Sequence, residues 1–187
     1  MKHRIDEIIK AYGLKNLKRT GWLQSGIDPD MVETVASHSW GMAFLFSVLE
    51  PDLPQEIDRY RSLKMAVLHD LAESSVGDIT PQDGISAGEK QRIERAALQE
   101  LVAPHPQGAG LLELWDEFEA GATLEAQTIK ALDKLDMLIQ ATIYEQETGV
   151  DLDSFWENTD ALFKEGVFKT IYEHIRMNRR KFKGINS

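Results

Sequence analysis

The chain has 187 residues, no cysteine and a formal net charge of -10, with 42% hydrophobic and 28% charged residues. Such a length and composition fit a single soluble domain with a full core. The missing thiols exclude disulfides, cysteine nucleophiles and zinc–thiolate sites, and the acidic far field disfavours nucleic acid polymers and anionic membranes while allowing a local cationic pocket for one small phosphate ester.

No stretch approaches the roughly 18 apolar residues of a membrane span. The run Met1-Lys2-His3-Arg4-Ile5-Asp6-Glu7 has no signal-peptide core, so a cytoplasmic protein is expected. Ile5, Ile8, Ile9 and Tyr12 recur at helical spacing and predict a first amphipathic helix over 3–15. A basic cluster follows, Lys15-Asn16-Leu17-Lys18-Arg19-Thr20-Gly21-Trp22, and runs into the loop Ser25-Gly26-Ile27-Asp28-Pro29-Asp30. Two readings stand side by side here. Trp22 packs on the core above a solvated turn, or Arg19 holds a phosphate beside a Trp22 wall for a sugar or base.

A second helix is expected over about 31–49, with Val35, His38, Met42, Phe46 and Leu49 inward and Pro51 and Pro54 ending it. The third, about 55–74, carries Met65-Ala66-Val67-Leu68-His69-Asp70-Leu71-Ala72-Glu73, a His-Asp pair inside an apolar run. Burying an ionised carboxylate in such surroundings costs several kcal/mol or more unless it is paired or metal-bound. Helical spacing lets His69, Asp70 and Glu73 line one wall, and Asp78 in the following loop Val76–Gly84 starts close enough to reach it. Ser86 and Glu89 form a capping-box pattern that opens a helix to about Val102. His105, between two prolines, reads as a loop histidine. A short helix over 111–120 precedes a long one over 124–148, capped by Thr123 and ended by Gly149. Segments over about 152–163 and 168–182 complete the chain. Its basic tail, Arg176, Arg179, Arg180, Lys181 and Lys183, suits a helix C-terminus. With no convincing strand, linker or repeat, the fold class is all-α and residues 1–187 make one helical domain.

Within the long helix, Asp133 and Asp136 lie three apart beside Ile129, Met137 and Gln140. Periodicity does not choose between them, and each alone reads as a surface acid near Lys130 or Lys134. Taken together, His38, His69, Asp70 and an acid of this helix give a four-donor set from three helices. Mixed imidazole and carboxylate donors suit one divalent ion such as Co, Mn, Fe, Ni or Zn. Without thiolates, an octahedral site with open water positions, as metal-assisted hydrolysis requires, fits better than a closed zinc site.

The ordered motifs Glu33-Thr34-Val35-Ala36-Ser37-His38-Ser39, His69-Asp70-Leu71-Ala72-Glu73, Val76-Gly77-Asp78-Ile79-Thr80-Pro81 and Leu132-Asp133-Lys134 resemble the HD-domain metal-dependent phosphohydrolases, and within them the 5'-deoxynucleotidase group. The resemblance runs from about Asn16 to Glu147. It implies an HD-domain helical bundle in which His38, His69, Asp70 and Asp133 bind the metal, and it settles the choice of acid in favour of Asp133, leaving Asp136 behind the ligands or purely structural. It further implies that Glu73 and Asp78 are the catalytic acids, Glu73 moving the proton. Arg19 and Trp22 then contact phosphate and deoxyribose of a nucleotide substrate, and the protein is a homodimer. The chain departs from the group's adjacent Arg-Trp pair, because Thr20-Gly21 separate Arg19 from Trp22.

Overall fold

The computed structural model describes residues 1–179, and among them all regular structure is helical. The nearest thing to a strand is an isolated antiparallel bridge between Lys18 and Thr34, as the all-α expectation requires. The helices are α1 (Lys2–Ala11), α2 (Thr20–Gln24), α3 (Val35–Leu49), α4 (Arg59–Leu68), α5 (Glu73–Val76), α6 (Ala87–Val102), α7 (Gly108–Ala120), α8 (Leu124–Thr148), α9 (Asp153–Trp156) and α10 (Gly166–Asn178). None of them is long and apolar enough to cross a membrane.

The axis of the fold is α8, with α3, α4, α7 and α10 packed against it. The Thr123 hydroxyl accepts the Ala126 N–H at 3.2 Å at its start, and Gly149 turns the chain out at φ 74°, so both ends lie where the sequence puts them. Ala126, Ile129, Leu132, Leu135, Leu138 and Ala141 are fully buried. Since a turn takes 3.6 residues, a spacing of three makes this stripe wind round the helix. Its first half packs with Met42, Phe46, Met65 and Phe118, and its second with Trp22, Leu152, Phe163 and Tyr172. Each buried Leu or Ile contributes about 1.5–3 kcal/mol. Asp133 and Asp136 fall at the crossover between the two clusters, where α8 passes α3.

Several boundaries differ from the sequence reading. Residues 31–34 are not helical: Thr34 caps α3, its hydroxyl accepting the Ser37 N–H at 3.1 Å. The expected helix over 55–74 begins only after Asp58 and breaks after Leu68. From there Leu71, Glu73, Ser74 and Ser75 donate to carbonyls three residues back, at 2.9–3.2 Å, a tighter winding than the α-helix. The indole of Trp115 on α7 takes the His69 carbonyl at 2.9 Å, which removes an acceptor that a continuing helix would use. Residues 12–15 form a 3-10 turn instead of extending α1, and residues 152–163 split at Asn158, whose φ of 61° is left-handed.

At the C-terminus the basic residues expected to play a structural part make ion pairs where they are described. Arg179 pairs with Glu145 and, at 2.7 Å, with Asp153, while Arg176 pairs with Asp160. Arg180, Lys181 and Lys183 lie outside the described residues.

Candidate metal centre

Three helical segments bring their polar groups to one point. His38 comes from α3 and is 0% exposed, His69 and Asp70 come from the tightened turn after α4, and Asp133 comes from α8. His38, His69 and Asp133 each place a donor atom within 4.8 Å of the others. His38 Nε2 is 3.2 Å from Asp133 Oδ1, and Asp70 Oδ2 lies 3.0 Å from His69 Nε2 and 3.9 Å from His38 Nε2. Asp70 thus stands beside both imidazoles.

The donor set fits a divalent cation. Both Nε2 atoms are buried and, apart from the Asp133 and Asp70 carboxylates that crowd them, make no aligned hydrogen bond; buried polar atoms in that state are rare enough to require a cause. The opposite ring nitrogens are satisfied: His69 Nδ1 lies 2.9 Å from the Ala66 carbonyl, and His38 Nδ1 lies 2.7 Å from Asp136 Oδ2. With a cation at the centre, each ring would keep its hydrogen on Nδ1, facing the acceptor there, and would turn the Nε2 lone pair inward. Both acids of α8 therefore flank one imidazole, Asp133 at the inner nitrogen and Asp136 at the outer.

The electrostatics follow from this crowding. Burial and Arg19 push the His38 imidazole down, but Asp133 and Asp136 outweigh them and hold it up at about 10. Burial works against ionised Asp70, yet His69, Arg19 and His38 keep it well below the usual carboxylate range. Asp133 is lowered against its own burial by His38, His69 and Arg19. Such a nest of opposed charges is one that a cation can bridge.

Arg19, Glu73 and Asp78 surround the same point. The Lys18–Thr34 bridge and the Arg19 N–H to the Glu33 carbonyl, 3.1 Å, bring Arg19 beside the start of α3. Its Nη1 reaches Asp70 Oδ2 at 3.2 Å. Asp78 Oδ2 accepts the Thr20 N–H at 2.6 Å, joining the loop after α5 to the start of α2. Glu73 is buried and its Oε2 has no hydrogen-bond partner. Burial, then Asp70 and Asp78, push its carboxyl far above the usual range.

Trp22 follows the first of the two sequence readings. It is 1% exposed, stacked on Phe155 at 4.4 Å and edge-on to Tyr144. An indole so enclosed has no free face to offer as a sugar wall. Its Nε1–H donates instead to Glu33 Oε1 at 2.9 Å, tying it to the segment that orients Arg19. Thr20-Gly21 account for this: Arg19 stays extended as the N-cap while Trp22 turns inward with α2.

The sequence reading missed Lys90 and Glu94 on α6. Lys90 Nζ donates to the Ile79 carbonyl at 2.7 Å and lies 3.4 Å from Glu94 Oε1. It also adds positive charge near Glu73. Their i, i+4 spacing was visible, but an exposed helical pair reads the same way. Trp115 carried no signal at all, since its partner is a backbone carbonyl.

Comparison with known proteins agrees with the geometry. Among curated relatives, "5'-deoxynucleotidase HDDC2" of Dictyostelium discoideum is 35% identical over 93% of this chain and 97% of its own length. The Homo sapiens protein of the same name is 34% identical over 89% of this chain and 81% of its own. A solved structure of a conserved hypothetical protein from Pyrococcus furiosus superposes with a TM-score of 0.76 at 33% identity, covering 94% of this chain and 98% of that one. The HD domain family matches residues 11–172. With the His-Asp pair, His38, Asp133 and the helical fold in place, the chain belongs to the HD domain family.

Proposed function

We propose that this protein is a metal-dependent phosphomonoesterase that converts nucleoside 5'-monophosphates, deoxyribonucleotides above all, to nucleoside and phosphate. The observation that carries the reading is the pair of buried Nε2 atoms of His38 and His69 beside Asp70, Asp133 and Arg19. The names of the relatives support the substrate class. His38, His69, Asp70 and Asp133 hold one divalent ion, Co, Mn, Fe, Ni or Zn. When bound, that ion supplies polarisation of a phosphate oxygen and a water acidic enough to attack near neutral pH.

The chain's own groups do the rest. Arg19 is aimed at the centre by the Glu33 carbonyl and Asp70, and it offsets phosphate charge. Glu73, kept protonated by burial and by its acidic neighbours, gives its proton to the leaving 5'-oxygen. Asp78 fixes the Thr20 N–H and with it the backbone at Arg19. Trp22 acts through Glu33 and not by touching the sugar.

Phosphate release from a panel of mono-, cyclic and triphosphate nucleotides, after reconstitution with Mn or Co, tests this. Release from 5'-monophosphates alone is expected. Cleavage of cyclic substrates points to a phosphodiesterase, and no turnover with any metal to a binding module.

The same reading makes the protein a cytoplasmic homodimer. Trp40 is 69% exposed and stacked with Phe44 on the outward face of α3, with exposed Val48 one turn on. An apolar patch of this kind on a soluble chain suits a partner surface. Sedimentation should give a dimer, and Trp40→Glu a monomer.

A further inference from the structure

His38 has an acid at each end of its imidazole ring. The inner end faces Asp133. The outer nitrogen, Nδ1, meets Asp136 Oδ2 at 2.7 Å across the α3–α8 interface. Glu33 is the other acid close to that nitrogen, since Glu33, His38 and Asp136 can also bring donor atoms within 4.8 Å of one another. The Trp22 indole already engages Glu33.

Gly41 gives this contact its room. It lies three residues after His38 on α3, on the same side of the helix. A Cβ at Gly41 would overlap Asp136 Oδ1 and stand 3.1 Å from Asp136 Cγ. Glycine in a helix interior is disfavoured relative to alanine, and Gly41 is not among the glycines with positive φ. Its backbone conformation is open to any residue. What a side chain there would displace is the Asp136 carboxylate.

We propose that Asp136 and Gly41 act as a unit that positions His38: Asp136 holds the hydrogen on Nδ1 and fixes the ring plane, and Gly41 leaves the gap through which the carboxylate reaches it. Asp136 is thus a positioning residue, not a ligand. The inference rests on the reading of His38 as a metal ligand. Hydrogen-bonded carboxylates behind ligating histidines typically change metal affinity by roughly 10–100-fold.

The test is cobalt affinity, read from its visible absorption in competition with a chelator, on wild type, Asp136→Ala, Gly41→Ala, the double variant and His38→Ala. Far-UV circular dichroism reports folding. Asp136→Ala is expected to weaken cobalt binding roughly 10–100-fold and to alter the absorption band. Gly41→Ala should weaken it in the wild-type background and add nothing once Asp136 is alanine. A helix-packing role for Gly41 would give the same loss in both backgrounds, and that result overturns the pairing. Should Gly41→Ala fail to fold, Asp136→Ala decides alone: wild-type affinity and an unchanged band overturn the proposal. Cobalt lost in His38→Ala but kept in Asp136→Ala refutes this inference only. Cobalt kept in His38→Ala removes the ligand reading and this inference with it.

Discussion

Arg19 Nη1 lies 3.2 Å from Asp70 Oδ2, on the carboxylate that also stands beside His38 and His69. One guanidinium therefore reaches the candidate metal centre from outside the three helical segments that build it. Arg19→Ala is expected to lower kcat/KM for a deoxynucleoside monophosphate about 10–100-fold, corresponding to a charged hydrogen bond of about 1.5–3 kcal/mol. Bound metal should remain. Steady-state kinetics with metal analysis on the same sample checks both.

Burial, Asp70 and Asp78 all disfavour charge on Glu73, and its proposed role as the acid requires it to be protonated at neutral pH. An acid that must be protonated loses function as pH rises through its own pKa. Activity should therefore hold through neutrality and fall on the alkaline side. Glu73→Gln should lower kcat about 10²–10⁴-fold and remove that alkaline limb. A pH–rate profile of both proteins is the measurement.

Much of this site was legible in the sequence, because the apolar run around His69-Asp70 exposes its own anomaly. Thr123 and Gly149 marked α8 correctly for an equally local reason, since caps are written in single residues. The winding after Leu68 was not legible. It depends on Trp115, 46 residues away in sequence, taking the His69 carbonyl. Trp22 was ambiguous for a similar reason: its burial is decided by Phe155 and Tyr144, which periodicity cannot bring together. Periodicity could not rank Asp133 and Asp136 because both turn out to face His38, at opposite nitrogens.

The contact of Trp115 with His69 makes a stability prediction. The Trp115 side chain is buried and its Nε1–H meets the His69 carbonyl at 2.9 Å. Trp115→Phe keeps most of the ring and leaves that carbonyl without its donor. A loss of about 1–3 kcal/mol in urea unfolding is expected, together with weaker metal retention.

Glu94 predicts a pH dependence away from the metal ligands. Burial pushes its carboxyl up to about 7 in spite of Lys90. An unfolded glutamate titrates near about 4.3. Between these values the folded protein keeps a proton that the unfolded chain has released, so stability falls as pH rises across that window and levels off above it. Its size is on the order of 1 kcal/mol after allowance for solvent screening near Lys90. Glu94→Gln should melt like wild type at pH about 5 and higher than wild type at pH about 8. Thermal unfolding at the two pH values reads it directly.

Metal retention and turnover both depend on a cation joining α3, the turn after α4, and α8. Metal content per chain by mass spectrometry, on wild type and Asp70→Asn after the same reconstitution with Mn or Co, addresses that with least interpretation. One ion per chain in wild type, lost from Asp70→Asn together with phosphate release while the helical signal is retained, is the result predicted here. A wild type that retains no ion, or an Asp70→Asn variant that keeps both ion and full activity, would contradict it.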